Sequence, residues 1–159
     1  MNELPARKNI RLKEYDYSNA GCYFITICVK DGHELLWQVN PVGAHSVRLL
    51  SDIGLVVKKA IENIAIIYSG IDVDKYVIMP NHIHIILRID SSGRTLCAPT
   101  KIPNVIKQCK EYVTKQIGFS IWQKSYHDRI IRSEAEYNRI WQYIEENPVR
   151  WVDDEYYRC

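Results

Sequence analysis

No Cys-x-x-Cys pair occurs in this sequence; its five cysteines, Cys22, Cys28, Cys97, Cys109 and Cys159, are scattered along 159 residues. An odd, dispersed set argues against a disulfide framework and against a cysteine zinc site, so these thiols are expected to be reduced and structural. No apolar run approaches the roughly 18 residues of a membrane span. The N-terminal stretch MNELPARKNIRLKEYDYSN lacks the apolar centre of a signal peptide. The expectation is a soluble, cytoplasmic protein with no membrane partner. Charge of one sign is also missing: 21 Lys and Arg against 19 Asp and Glu leave a formal net charge of +2. Any contact with nucleic acid must therefore come from local clusters of cations rather than from a basic protein overall. There is no internal repeat and no low-complexity segment.

What is present is enough for one domain over residues 1–159, with 47% hydrophobic and 25% charged residues. The polar N-terminal segment carries Arg7, Lys8, Arg11 and Lys13 and reads as a loose lead-in or as a basic arm. Cys22 to Val29, rich in β-branched and aromatic residues, reads as a buried strand. Apolar patches at Leu35 to Trp37 and Val47 to Leu50 flank Asn40, Pro41 and Gly43, as in a hairpin excursion. Ser51 or Asp52 can cap a helix with Leu55, Val56, Ala60, Ile61, Ile64 and Ile67 at helical spacing, ending near Ser69-Gly70. Asp72 to Met79 and His82 to Ile89 form two extended segments joined by Pro80 and Asn81, an antiparallel pair. A loop with Ser91, Ser92, Gly93 and Pro99 leads to a helix from Ile102-Pro103, with Val105, Ile106, Cys109, Tyr112, Val113 and Ile117 on one side. A strand lies within Ile121 to Ile131. Ser133 and Glu136 make a capping-box signature for a last helix that ends near Asn147, because Pro148 disfavours helical geometry in the residue before it. The order β, hairpin, α, β, β, α, β, α, with helices that can share one face, points to an α+β sandwich of the ferredoxin-like kind, a central antiparallel sheet with helices packed on it.

Two features carry chemistry. On a strand, side chains alternate faces, so His82, His84, Ile86 and Arg88 share one face while Ile83, Ile85, Leu87 and Ile89 share the other. The two imidazoles are then about 7 Å apart at the backbone and can converge on one ion, or they can simply form a half-buried polar face. In the last helix the apolar stripe is Tyr137, Ile140, Trp141 and Ile144. Tyr143 and Asn147, four residues apart, lie together on its flank. A phenol and an amide oxygen there can address one site as nucleophile and hard ligand; they are also ordinary boundary packing and an ordinary helix stop. His33 and His45 read as turn or surface residues.

Three segments taken together, GCYFITICVKDG at 21–32, MPNHIHIIL at 79–87 and WQKSYHDRIIRSEAEYNRIWQYIEENPVRW at 122–151, resemble the single-tyrosine HUH transposase family. The Tyr-Ile-x-x-Asn-Pro ending is most similar to its REP-associated branch. The resemblance runs over nearly the whole chain and implies a ferredoxin-like fold. By motif match it places metal ligands at His82 and His84 and the catalytic nucleophile at Tyr143. Asn147 holds the place of the polar residue that completes the metal site in related transposases. Lys110 matches a basic position on the helix after the histidine hairpin. With Lys107 and Lys115 it gives a local positive charge that could hold DNA phosphates, or a solvated helix face.

The implied activity is metal-dependent cleavage and rejoining of single-stranded or hairpin DNA through a 5′-phosphotyrosine intermediate, with Mg²⁺ or Mn²⁺ as the only cofactor. A free tyrosine has a pKa of about 10, so a base or the ion's field must assist, and His127 and Asp128 are candidates. Two other classes stay open: a catalytically silent single-stranded nucleic-acid-binding module, and a metal-dependent hydrolase, which would lack an obvious acidic ligand. A monomer and a homodimer both remain compatible with the sequence. The tail Trp151 to Cys159 either packs on the domain or covers the site.

Overall fold

The computed structural model describes residues 20–38, 49–90 and 102–156. Strand β1 (Gly21–Cys28), helix α1 (Asp52–Ile67), strands β2 (Ile71–Ile78) and β3 (His82–Ile89), helix α2 (Ile102–Ile117), strand β4 (His127–Ile131) and helix α3 (Glu134–Glu146) follow in that order. The four strands form one sheet in the order β2-β3-β1-β4, and every pairing is antiparallel. Two interleaved βαβ units with a strand inserted in each produce this order, so the ferredoxin-like α+β sandwich is the architecture observed.

Alternation along the two central strands separates the sheet into unlike faces. On one, Tyr23, Ile25, Ile27, Ile83, Ile85 and Leu87 are fully buried and pack with Val57, Ile61 and Ile64 of α1 and Val105, Ile106 and Val113 of α2. Each such side chain contributes about 1.5–3 kcal/mol through burial, so this face carries the core. The opposite face holds Phe24, Thr26, His82, His84 and, through the β1–β4 register, His127 and Arg129. Helix α3 lies on that side, with Tyr137 donating to Asp74 of β2 at 3.0 Å and Lys75 paired with Glu145. The helices therefore do not all share one face. Helix α3 has a weak apolar stripe, with only Ile144 and Glu136 buried, and it covers the polar side instead of adding to the core.

Local signals explain most boundaries. Ser51 caps α1, its hydroxyl accepting from the Gly54 N–H at 3.0 Å and donating to Leu35 O at 2.6 Å. Gly54 is needed because a Cβ there would stand 2.1 Å from Leu36 O. Ser133 caps α3 through the Glu136 N–H at 3.2 Å, while the Glu136 carboxylate returns to the Arg132 N–H at 3.0 Å, one residue beyond the cap N–H of the usual reciprocal box. Asn147 keeps helical angles, φ −54° and ψ −44°. The helix thus ends beside Pro148, but without the backbone change expected of the residue before a proline. Asp74 sits at the register shift between Val73 and Lys75, and from there it reaches both Tyr137 and the Arg88 guanidinium, the latter at 3.1 Å. Such a bulge re-aims a side chain, here toward α3.

The hairpin excursion is present at its base, where Trp37 bridges Leu50 and the Gln38 N–H donates to Leu49 O at 2.9 Å. Its tip with Asn40, Pro41 and Gly43, the basic N-terminal segment, His45 and the loop with Ser91 to Pro99 lie outside the described residues. Cys22, Cys28 and Cys109 are in no disulfide, and His33 is exposed. Among the described residues no helix is long and apolar enough to cross a membrane.

Candidate metal and nucleophile site

The polar face of β3 is closed over by α3 and by the segment that follows it. His82 and His84 are 0% and 1% exposed, and their Nε2 atoms stand 3.0 Å apart. Each Nδ1 has its own partner: His82 meets Asn81 Oδ1 at 2.8 Å, and His84 meets Thr26 Oγ1 at 2.8 Å. Asn81 donates through its amide nitrogen to Tyr156 O at 2.8 Å, so its oxygen is the acceptor and the His82 proton lies on Nδ1. The His82 Nε2 lone pair then points into the site. The Thr26 hydroxyl can donate or accept. His84 can therefore place its proton toward His82, or turn its own Nε2 lone pair to the same point as the other.

Burial holds the pKa of both imidazoles below the ordinary histidine value, for His82 against the opposing pull of Asp154, and for His84 with help from His82. Both rings are neutral at pH 7, the form that binds metal. The Tyr143 hydroxyl lies 3.3 Å from His84 Nε2 and 3.4 Å from Asp154 Oδ2. Its residue is 39% exposed, so the phenol is reachable from solvent. Its pKa is pushed up to about 12, first by desolvation and then by Asp154, with Asn147 acting in the other direction. Phe24 stacks on His84 at 5.1 Å and meets Tyr143 edge-on at 6.2 Å, fixing both rings.

Three observations fit this cluster to a divalent cation. Two ligands at right angles on an octahedral ion stand about 3.0 Å apart, as the two Nε2 atoms do. The Asn147 side chain is buried, and its amide oxygen lacks a hydrogen-bond partner. Buried amides are nearly always satisfied, and an oxygen left over one helical turn after Tyr143 is a spare hard ligand. The third observation escaped the sequence reading: Asp154 joins His82 and His84 in a group whose ligand atoms all lie within 4.8 Å of one another.

Asp154 is carried by residues 151–156 of the tail, which cover the site rather than packing elsewhere. A short 3₁₀ turn, Trp151–Asp153, follows α3, and Trp151 and Tyr156 lie against the His82 ring at centroid distances of 5.8 and 4.6 Å. The aromatic content of the tail hinted at packing, but nothing in its spacing indicated which acidic residue would face the histidines. The remaining candidates are dispersed. His127 shares the polar face through its pairing with Thr26, whereas Asp128 pairs with Ile25 and projects toward the other side. Lys107, Lys110 and Lys115 are on α2, across the sheet from the histidines. Lys110 donates to Gln123 O and Ser125 O at 2.9 and 3.0 Å, holding the segment before β4, and Lys107 pairs with Glu111.

An uncharacterized protein of Haemophilus influenzae (strain ATCC 51907 / DSM 11121 / KW20 / Rd) is 34% identical over 176 aligned positions, which cover 95% of this chain and 93% of the relative. Among solved structures, a REP-associated tyrosine transposase bound to a REP hairpin superposes with a TM-score of 0.65 at 20% identity, over 89% of this chain and 73% of that one. The chain belongs to the family of the Haemophilus protein, and its fold is Y1-transposase-like. A candidate transposase of Deinococcus radiodurans R1 shares this Y1-like fold more loosely, with a TM-score of 0.50 at 20% identity over 86% of this chain and 95% of that one. At that identity both likenesses speak for the fold alone. No protein-family model matches the chain.

Proposed function

We propose that this chain is a divalent-metal-dependent transposase that cuts and rejoins single-stranded DNA through Tyr143. The observation that carries the proposal is the meeting of the Tyr143 hydroxyl with the buried, neutral His82 and His84 pair, 3.3 Å from His84 Nε2. A nucleophile and a cation site belong side by side when the reaction is attack on a phosphodiester. The structural relative binds a REP hairpin, and the same kind of substrate, single-stranded or hairpin DNA, is proposed here.

In this reading His82 and His84 hold the ion through Nε2, with Asn147 Oδ1 as a further ligand. Bound Mg²⁺ or Mn²⁺ would polarise the scissile phosphate and offset its developing negative charge. Thr26 and Asn81 keep the imidazoles aimed, a role typical of the partners behind metal-bound histidines. The Tyr143 oxygen attacks phosphorus, its proton having an acceptor at Asp154 Oδ2, 3.4 Å away, since the His84 Nε2 lone pair is given to the ion. The DNA 3′-oxygen leaves as a hydroxyl, and the 5′ end stays on the phenol as a phosphodiester. Attack by another 3′-hydroxyl reverses the step on a new strand, with no external energy source. Lys107, Lys110 and Lys115 stay proposed as phosphate contacts on the far side of the sheet, with Lys110 already committed to two carbonyls.

The test is a denaturing gel of the full chain with labelled hairpin-bearing single-stranded DNA and Mn²⁺. A slow-migrating adduct that disappears in Tyr143→Phe and with chelator is expected. Binding of the same DNA with no adduct would instead select the catalytically silent binding module. One observation favours the metal-dependent hydrolase as a second reading: Asp154 supplies an acidic group beside the histidines, which no motif in the sequence marked. Metal-dependent cleavage that survives Tyr143→Phe would select that reading.

A further inference from the structure

We infer that Asp154, on the strap after α3, is itself a ligand of the cation held by His82 and His84, adding a carboxylate to the two imidazoles and the Asn147 amide oxygen. The inference rests on the metal-dependent reading above and extends its ligand set to a part of the chain that follows the tyrosine helix. Asp154 Oδ1 stands 4.0 Å from His82 Nε2, and its side chain is only 2% exposed. Ligands on opposite sides of an octahedral ion are about 4.2 Å apart and adjacent ones about 3.0 Å. The 4.0 Å separation therefore suits a shared ion better than it suits a direct hydrogen bond.

The charge argument points the same way. A buried carboxylate needs a cation, yet among the described residues no lysine or arginine forms an ion pair with Asp154. Its contacts are the Tyr156 N–H at 2.7 Å and the Tyr143 hydroxyl at 3.4 Å. A divalent ion between the three groups supplies the missing positive charge.

The placement is also built rather than incidental. Trp151 and Tyr156, on either side of Asp154 in the chain, both lie against the His82 ring. The Asn81 amide ties the two halves together, with its oxygen on His82 Nδ1 and its nitrogen on Tyr156 O. One side chain thus sets the direction of an imidazole and the position of the strap that carries the carboxylate.

The experiment is calorimetric titration of the full-length protein with Mn²⁺, comparing wild type, Asp154→Asn and His82→Ala. Because asparagine is isosteric with aspartate, thermal melts in chelator should superpose for wild type and Asp154→Asn. Wild type should bind one ion, and His82→Ala should lose it. Asp154→Asn should weaken binding by at least about tenfold, the loss that even residues behind the ligands cause. Unchanged affinity in Asp154→Asn, with binding still lost in His82→Ala, would remove Asp154 from the site and leave the metal-dependent reading intact. If wild type takes up no Mn²⁺, or if His82→Ala binds equally well, that reading and this inference fail together. A direct readout is Asp154→Cys loaded with Co²⁺, which should show a thiolate-to-cobalt charge-transfer band that wild type lacks. Co²⁺ uptake without the band overturns the inference.

Discussion

The two faces of the central sheet are made from the same two strands, yet they do different work. Under α1 and α2, Ile25, Ile27, Ile83, Ile85 and Leu87 are fully buried among aliphatic neighbours. Under α3 and the strap, Thr26, His82 and His84 are as deeply buried, but among aromatic rings and hydrogen-bonding groups, and the buried Asn147 amide oxygen on that side is left without a partner. Burial on the first face stabilises through area removed from water. On the second it desolvates imidazoles so that they stay neutral and keep their lone pairs. Period-2 alternation in β3 allows one element to anchor the fold with every second residue and present chemistry with the others.

The sharpest way to break this comparison is to exchange one residue on each face. Tyr143→Phe should abolish adduct formation while leaving the urea midpoint nearly unchanged. Ile85→Ala should cost about 2–5 kcal/mol in urea unfolding, because the cavity opens in a packed core. If Tyr143→Phe unfolds the protein as readily as Ile85→Ala does, the division of labour between the faces is wrong.

Smaller effects sharpen it. Gly54→Ala should destabilise by about 1–3 kcal/mol, measured by the same unfolding, because the new methyl meets Leu36 O at the α1 boundary. Ser133→Ala removes the cap of α3 and should cost about 1 kcal/mol, with DNA processing reduced less than by any change at Tyr143.

Glu136 gives the smallest effect and a pH signature. The Arg132 N–H, followed by Arg129 and Arg139, holds its carboxyl below the usual glutamate value of 4.5. A depressed folded-state value contributes stability above the unfolded value, and that contribution is lost as pH falls through the folded one. Glu136→Gln should therefore melt earlier than wild type at pH 7, and the gap should close on acidification below pH 4.5. A gap that is constant across that range would assign the effect to hydrogen bonding alone.

Much of the fold was legible because its signals are local. The bounds of β3 and the start of α2 coincide with the expected ones, and Ser51 and Ser133 cap the helices they precede. The assignment of helices to faces was less legible. The stripe of Tyr137, Ile140, Trp141 and Ile144 looks like that of a core helix, but Trp141 stays 36% exposed and α3 leans on Asp74, Lys75 and the polar side of the sheet. Periodicity reports which residues of a helix are apolar, not which face of a sheet receives them.

By itself the sequence determined that His82 and His84 share a face, that this face is opposite the apolar one, and that Tyr143 and Asn147 share a helix flank. Each of these follows from backbone periods of 2.0 and 3.6 residues. Only the tertiary structure decided that Tyr143 meets the histidine pair, with its OH 3.3 Å from His84 Nε2. It alone also brought Asp154 to within 4.0 Å of His82. The physical reason is that the strap is placed by long-range packing, Trp151 and Tyr156 against His82 and Tyr156 O on Asn81. A tail of nine residues carries no periodic signal from which those contacts could be read.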